Sequence, residues 1–454
     1  MAMGQLAAAL AKDGYKISGS DQSFYEPMGS FLKSSGISLY PAYSPDNITK
    51  DLKLVVIGNA VKSTHPEVLE VANKAIPFIS FAELLFQYLI RGKKSLVISG
   101  THGKTTTTAI CAQVLTTLNQ SPSYFFGGVL PGFPSSLIRG TGNVSVVEGD
   151  EYDTAFFAKV PKFSFYKPDV WVINALEYDH ADIYSSIEAI ISEFESQLSK
   201  LNQNQTVIVC LDFKILSEKI SEWKSKFAAK FITFGLSEES DYRITSRKTS
   251  ATGQQIQISS PDKQFELQTS LFGAINARNV LAAYLGLAQT CPQLNMLNAF
   301  QNLTAVKRRL EVFAEFSGNT YIEDFAHHPT AVRETLQTLR EIYPGKKIFT
   351  IFEPASNTSR RNIFQNEFSE SFSLSDSLIL LAPKAKGSET LLDAKKLLND
   401  CRAPEVKFLA ENSDEIMNCL NDHKPSDSII VLMSNGAFDG LKAKIISAAA
   451  ARGE

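Results

Sequence analysis

Short unbroken runs of Val, Ile, Leu and Phe punctuate this chain, separated by longer stretches whose apolar positions recur at helical spacing. The runs lie at Leu54–Ile57, Leu96–Ile98, Val144–Val147, Val170–Asn174 and Val207–Cys210, and again at Tyr321–Asp324, Ile348–Phe352, Ser377–Leu381 and Ile429–Met433. A strand that is apolar at nearly every position has both faces covered, as inside a parallel sheet flanked by helices. Strand and helix alternating over most of the length predict an α/β architecture. Residues 241–270 differ, because polar and apolar positions alternate there between Gly, Ser and Pro breaks, the pattern of an antiparallel insert. The opening MAMGQLAAALAKDGYKIS reads as a helix leading into a strand. Polar breaks at Leu89–Lys94 and around Asn302–Arg309 divide the chain into three expected α/β domains, residues 1–92, 93–305 and 306–454.

Composition narrows the class without naming a function. A hydrophobic fraction of 44% and a charged fraction of 20% are those of a soluble globular protein. The net charge of -3 gives no electrostatic case for nucleic acid or an anionic membrane as partner. No apolar stretch approaches the ~18 residues of a membrane span, and the N-terminus lacks the basic start of a secretory signal. Cys111, Cys210, Cys291, Cys401 and Cys419 are scattered, with no CxxC or Cys/His pair at zinc spacing, so a reducing, cytoplasmic setting is expected.

Candidate chemistry collects where the runs end, which is where open parallel sheets place their ligands. The stretch SGTHGKTTTTA follows the Leu96–Ile98 run and contains Gly103, Lys104 and Thr105, the ending of a phosphate loop. The common form, G-x-x-x-x-G-K-[ST], would need glycine at 98, where Ile98 stands. A helix starting at Lys104 aims its N–H groups and positive dipole end at an anion. Lys104 adds a point charge on the outer phosphates, and Thr105 a hydroxyl for Mg²⁺. The Val144 run ends in the acidic Glu148-Gly-Asp-Glu-Tyr-Asp153, and the Val170 run in Asn174-Ala-Leu-Glu-Tyr-Asp-His180. Carboxylates there suit hard divalent cations, and a neutral imidazole can join a second one. Asn276 and Asn279 share a helix face at i, i+3, where amides can bond a purine edge or a ribose. Further on come Arg308 and Arg309, then Asp324, His327 and His328, with Pro329 set to start a helix.

In order along the chain, Gly100–Thr106, Glu148, Tyr178–His180, Asn276 with Asn279, Arg309 and Asp324–Pro329 resemble the motifs of the Mur ligases. These are ATP-dependent ligases of peptidoglycan synthesis whose own phosphate loop is the shorter GT-x-GKT, so Ile98 is what that family shows. The resemblance covers nearly the whole chain. It implies a Rossmann-like UDP-sugar domain, a central P-loop ATPase domain with a mostly parallel sheet, and a C-terminal Rossmann-like domain. Within the family, Glu148–Phe157, Asp179–Tyr184, Phe352–Thr358 and Val431–Gly436 resemble the branch that attaches a recycled tripeptide to UDP-N-acetylmuramate.

Carried over, the resemblance implies that Gly100, Thr101, His102, Gly103, Lys104, Thr105, Thr106, Asn276, Asn279, Arg309, Asp324 and His328 contact ATP. Thr105 and Glu148 would bind Mg²⁺, and His180 a second ion. Catalysis would rest on Lys104, Glu148, His180, Asn279 and Arg309. Ser20, Asp21 and Asn59 would meet the UDP-sugar, and His102, Glu151, Asp153, Ser356, Asn357 and Arg360 the substrates more generally. The substrates expected are UDP-N-acetylmuramate and the murein tripeptide, with the chain acting as a monomer or weak homodimer.

Three departures stand out. The family's first strand and glycine-rich UDP loop precede a segment resembling Met3–Ala7; either the start is misplaced and they lie upstream, which is the expectation, or UDP-sugar binding is compromised. Ala355 stands where the family has arginine, which removes a two-pronged carboxylate donor, leaving Arg360 and Arg361 near it in sequence. The carbamylated lysine of several Mur ligases has no counterpart at Glu193–Ser196, as in the L-alanine-adding and tripeptide-adding branches. Addition of free L-alanine is therefore the nearest alternative, and a nucleotide-binding regulator without catalysis a more distant one.

Overall fold

The computed structural model describes residues 2–24, 28–402 and 405–451. Its centre is a ten-stranded sheet. Strand β1 (Lys94–Ser99) is buried from Ser95 onward and lies between β2 (Val144–Gly149) and β3 (Val170–Ile173), both parallel to it. Next to β3 comes β4 (Thr206–Cys210), buried throughout. Each is the continuous apolar run that burial on two faces requires. The register sets Ile98 opposite Glu148, and Ser99 opposite Gly149 and Ile173, so the three strands end level with one another. Trp171, fully buried on β3, donates its indole N–H to Ser99 Oγ at 2.9 Å and ties the last residue of β1 to the core.

Helix α1 (Lys104–Thr117) leaves the end of β1, and α2 (Gly273–Thr290) packs into the same core through Ala277, Val280 and Leu281. Residues 242–269 form the antiparallel edge of the sheet, in three strands Tyr242–Ser250, Gly253–Ser259 and Gln264–Thr269. Their alternating burial is the pattern that the alternating sequence predicts.

A six-stranded sheet builds the C-terminal part. β5 (Asn319–Asp324) and β7 (Ser428–Met433) are parallel neighbours, with β6 (Lys347–Phe352) on the far side of β7. Separate apolar clusters cover its two faces. After β5, His328 caps α3 (Pro329–Ile342), its ring nitrogen accepting the Thr330 N–H, with Pro329 at the first helical position. The N-terminal part is lighter: helix Ala2–Lys12 and two parallel strand pairs, Ser18–Ser20 with Ser38–Tyr40 and Val55–Ile57 with Phe78–Ser80. Among the described residues, no helix is long and apolar enough to cross a membrane. The whole is a three-domain α/β fold.

Candidate active site

The turn between β1 and α1 depends on two glycines. Gly100 has φ +118°, and a Cβ there would sit 2.5 Å from the Ala175 carbonyl oxygen; Gly103 has φ +80°, and a Cβ would sit 2.3 Å from Asn279 Oδ1. Only glycine meets both the dihedral and the close approach. The turn therefore lies flat on the end of β3 and delivers Lys104 to the start of α1. Lys104 Nζ donates to the Gly100 carbonyl oxygen and to Glu151 Oε2, each at 2.7 Å. The Gly100 N–H donates to the other Glu151 oxygen at 2.9 Å. Burial pushes the Lys104 ammonium down, but the carboxylates of Glu151, Asp150 and Glu148 together hold it above the ordinary lysine value.

Two oxygen-rich groups flank Lys104. In the first, Thr105 Oγ1 donates to Glu148 Oε2 at 2.9 Å, and the Gly127 N–H donates to the same oxygen at 2.8 Å. Burial raises the Glu148 carboxyl above its usual range, a shift that a bound divalent cation would reverse. In the second, Asp150, Glu151 and His180 each bring one ligand atom within 4.8 Å of the others, and His180 Nε2 lies 3.9 Å from Glu151 Oε2. Burial alone would raise Asp150, but Lys162, 2.7 Å away, and Lys104 bring it down to about 2. His180 stands in the left-handed region at φ +56°, its N–H on Asp179 Oδ1 and its ring 4.2 Å from Tyr152. A hydroxyl and carboxylate in one group, and two carboxylates with an imidazole in the other, are donor sets that fit Mg²⁺.

The asparagines lie beneath the loop. Asn174 Nδ2 donates to Thr107 Oγ1, which donates on to Asn279 Oδ1, whose amide nitrogen donates to Asn276 Oδ1. Asn276 opens into a cleft with Thr106, Gln113, Leu271, Val306 and Arg309, so α1, α2 and the start of the C-terminal part converge there. Arg309 lies over the Phe325 ring, its centre 5.0 Å away. Burial lowers the Arg309 guanidinium from its ordinary value, while Asp324 pulls it back up. Asp324 spends its oxygens on the N–H groups of Leu310 and Ala326, both at 2.8 Å, and so shapes the segment carrying Arg309.

Glu177, past the end of β3, joins the two large sheets. It accepts from His102 Nε2 at 2.7 Å and from Thr330 Oγ1 at 2.9 Å, with His328 Nδ1 at 3.8 Å. Burial would raise this carboxyl, but His102 and His328 beside it bring it to about 2. Burial, helped by His102, pushes the His328 imidazole down to about 4. Further across, Asn357 Nδ2 donates to Asp182 Oδ2 at 2.7 Å, and the Ala181 N–H donates to Thr358 Oγ1 at 3.2 Å.

The structure thus gathers Gly100 to Thr106, Glu148, Glu151, His180, Asn276, Asn279, Arg309 and His328 around one loop. Other sequence candidates stand apart. Ser20 donates to Glu67, Asp21 accepts from Tyr43 and Asn59 is exposed, all in the N-terminal part. Asp153 begins a short strand, and Ser356 bonds Ser359. Arg360, expected to be free for a substrate, is 4% exposed and committed to Glu389 and Asn357. Arg361 instead donates to the Ala181 carbonyl oxygen, and its Nε is buried without a partner. Sequence reasoning did not assign Asp150, Asn174, Thr107 or Glu177; the strand-end acids lay in stretches already conspicuous for charge, whereas nothing local marks Thr107.

The chain is similar over nearly its full length to known ligases. It is 30% identical over 449 residues to the UDP-N-acetylmuramate–L-alanyl-γ-D-glutamyl-meso-2,6-diaminoheptandioate ligase of Haemophilus influenzae, covering 98% of this chain and 96% of that one. It is 31% identical over 463 residues to the ligase of the same name from Escherichia coli, covering 100% and 97%. The chain belongs to the Mur ligase family. Its residues 1–92 match the catalytic domain of the Mur ligase family, 98–287 the Mur ligase middle domain, and 308–436 the Mur ligase glutamate ligase domain. Among solved structures, a murein peptide ligase from Psychrobacter arcticus superposes with a TM-score of 0.70 at 25% identity, covering 98% of this chain and 96% of that one. The loop, the acidic strand ends and the asparagine pair described above all fall inside the span that matches the Mur ligase middle domain.

Proposed function

We propose that this Mur ligase joins L-alanyl-γ-D-glutamyl-meso-diaminopimelate to the lactyl carboxylate of UDP-N-acetylmuramate, using ATP, in peptidoglycan recycling. The observation that carries the reading is the convergence of Lys104, the Thr105–Glu148 pair and His180 at the level ends of β1, β2 and β3. The full-length similarity to ligases named for these substrates supports the choice of acceptor and peptide.

In this reading a carboxylate oxygen of UDP-N-acetylmuramate attacks the γ-phosphorus of ATP, and ADP leaves. The peptide's alanine amine then attacks the acyl carbon, a proton is lost from nitrogen, and inorganic phosphate leaves. Lys104 neutralises charge on the transferring phosphoryl group, and the loop amides hold its neighbour. Mg²⁺ held by Thr105 and Glu148, with a second ion at His180, would supply further charge neutralisation. Asn276 and Arg309 line the cleft beside α1 and are assigned to the adenine and ribose end of the nucleotide. The Glu177–Thr330 and Asn357–Asp182 bonds are assigned to hold the C-terminal sheet over the loop, excluding water from an intermediate that water would destroy.

The deciding experiment offers the purified protein UDP-N-acetylmuramate and ATP with either the tripeptide or L-alanine, and follows ADP and the ligated product. Faster product formation with tripeptide is expected. A preference for L-alanine would overturn the assignment in favour of the alanine-adding branch.

A further inference from the structure

Of the acidic strand end, Glu148 meets Thr105, whereas Glu151 lies on Gly100 and Lys104. Glu151 is 3% exposed, and its two oxygens take the Gly100 N–H and the Lys104 ammonium. Those are the donors a nucleotide phosphate oxygen would use, on the ATP reading above. One ammonium and one amide cannot serve two anions in the same place, so the phosphate and the Glu151 carboxylate exclude one another there.

The displaced carboxylate has a restricted choice of position. Its backbone is pinned, because Tyr184 donates its hydroxyl to the Glu151 carbonyl oxygen at 2.7 Å, so the side chain must turn. On the Oε2 side stands His180 Nε2 at 3.9 Å, with Asp150 in the same cluster and already fixed by Lys162 at 2.7 Å. Bringing Glu151 fully onto Asp150 and His180 puts two carboxylates together, which repel unless a cation lies between them. With a divalent cation, the same three groups form an oxygen-rich ligand set.

We propose that Glu151 is a two-position carboxylate: it occupies the Gly100–Lys104 cradle until a nucleotide phosphate takes it, then becomes a ligand of a divalent cation shared with Asp150 and His180. The first position keeps the loop amide and the buried ammonium paired. The second uses the same charge to hold a cation. Nucleotide and cation then tighten each other by linkage, because each favours the same Glu151 position.

The test uses the full chain, ADP and Mn²⁺, and rests on the ATP reading only for its ligand. ADP binding is measured by calorimetry in EDTA, and bound Mn²⁺ is counted by electron paramagnetic resonance in the presence of ADP. Glu151→Gln keeps the volume but removes the competing anion. It is expected to bind ADP about tenfold tighter than wild type without cation, and to bind one Mn²⁺ fewer per chain. Asp150→Asn removes a nearby charge without touching the loop. It is expected to lose the same Mn²⁺ while tightening cation-free ADP binding clearly less than Glu151→Gln does, because the Asp150 charge is paired with Lys162 at 2.7 Å and occupies no donor of the loop. Unchanged or weaker ADP binding by Glu151→Gln, or retention of its full Mn²⁺ count, overturns the proposal. So does an Asp150→Asn variant that tightens ADP as much as Glu151→Gln does, since that would be a field effect and not displacement from the loop. If Glu151→Gln melts below wild type and cannot be assayed, wild type decides: ADP must tighten its second Mn²⁺ by about tenfold, and equal affinity with and without ADP refutes the exchange. A wild-type chain that takes up no ADP refutes the ATP reading itself, a result distinct from all of these.

Discussion

Replacing Gly103 with alanine perturbs the phosphate loop at its tightest point, and the cost can be built up from the local geometry. At φ +80° an L-residue with a Cβ is less stable than glycine by about 1 kcal/mol. The new Cβ would lie 2.3 Å from Asn279 Oδ1 and 2.9 Å from Asn174 Nδ2, so both amides must move. Asn279 is 4% exposed and accepts from Thr107, and Asn174 donates to the same hydroxyl. Disturbing that buried chain costs about 1 kcal/mol for each hydrogen bond lost. The sum is about 3 kcal/mol, which for a domain the size of the central one is a fall in Tm of about 6–12 °C. Because Lys104 follows directly, ADP affinity should fall as well. Thermal unfolding followed by circular dichroism, with ADP titration by calorimetry, measures both. A Tm within about 2 °C of wild type together with unchanged ADP affinity would refute the reasoning, because it would mean the loop relaxes without disturbing the asparagines.

Lys104→Ala should abolish ADP release with all substrates present while leaving the fold intact; near-normal turnover, measured by coupled assay, would remove Lys104 from the mechanism. His328 gives a pH dependence of stability. Its folded value of about 4 lies below the unfolded 6.5, so the unfolded chain binds the proton more readily and stability falls as pH drops from 6.5 towards 4. The loss should reach about 2 kcal/mol near pH 5, seen as a lower urea midpoint, and His328→Phe should flatten that slope. Trp171→Phe removes the bond to Ser99 Oγ from a fully buried site and should cost about 2 kcal/mol in urea unfolding, counting the hydroxyl left behind.

The strands of the two large sheets were legible because burial on both faces leaves unbroken apolar runs: each run singled out from Leu96–Ile98 to Ile429–Met433 falls in a strand, apart from Asn174, which follows the end of β3. The N-terminal pairs were harder. Ser18–Ser20 and Ser38–Tyr40 are short and partly exposed, so they carry no apolar run, and Phe78–Ser80 has a single buried residue. The π-helical turn Phe86–Ile90 also left no signal, since its apolar spacing reads as ordinary helix. In the site, the loop and acidic strand ends were readable as local motifs. Their pairings were not: Glu177 meets His102 across 75 positions and Thr330 across 153. Nor does sequence mark the left-handed backbone at His180, Arg308 and Leu310, where non-glycine residues are held by tertiary contacts. Arg360 shows the same limit from the other side, because a guanidinium close to a substrate motif in sequence turned out to be spent on Glu389.

On the proposed function, the charge around the loop would favour nucleotide and cation binding together. Glu148, Asp150, Glu151 and Asp179 surround a site whose nearby cations are Lys104 and Lys162, with Arg309 on the cleft side. A triphosphate brought into that field alone would meet more carboxylates than ammonium groups. The loop amides and the dipole of α1 soften the repulsion, but their reach is the first helical turn. A divalent cation on Thr105 and Glu148 would reverse the local sign, and the proposed second one on Asp150, Glu151 and His180 would do the same on the other flank of Lys104. On that proposed function, the acidic strand end would make the bare nucleotide a poor ligand and the metal-bound nucleotide a good one.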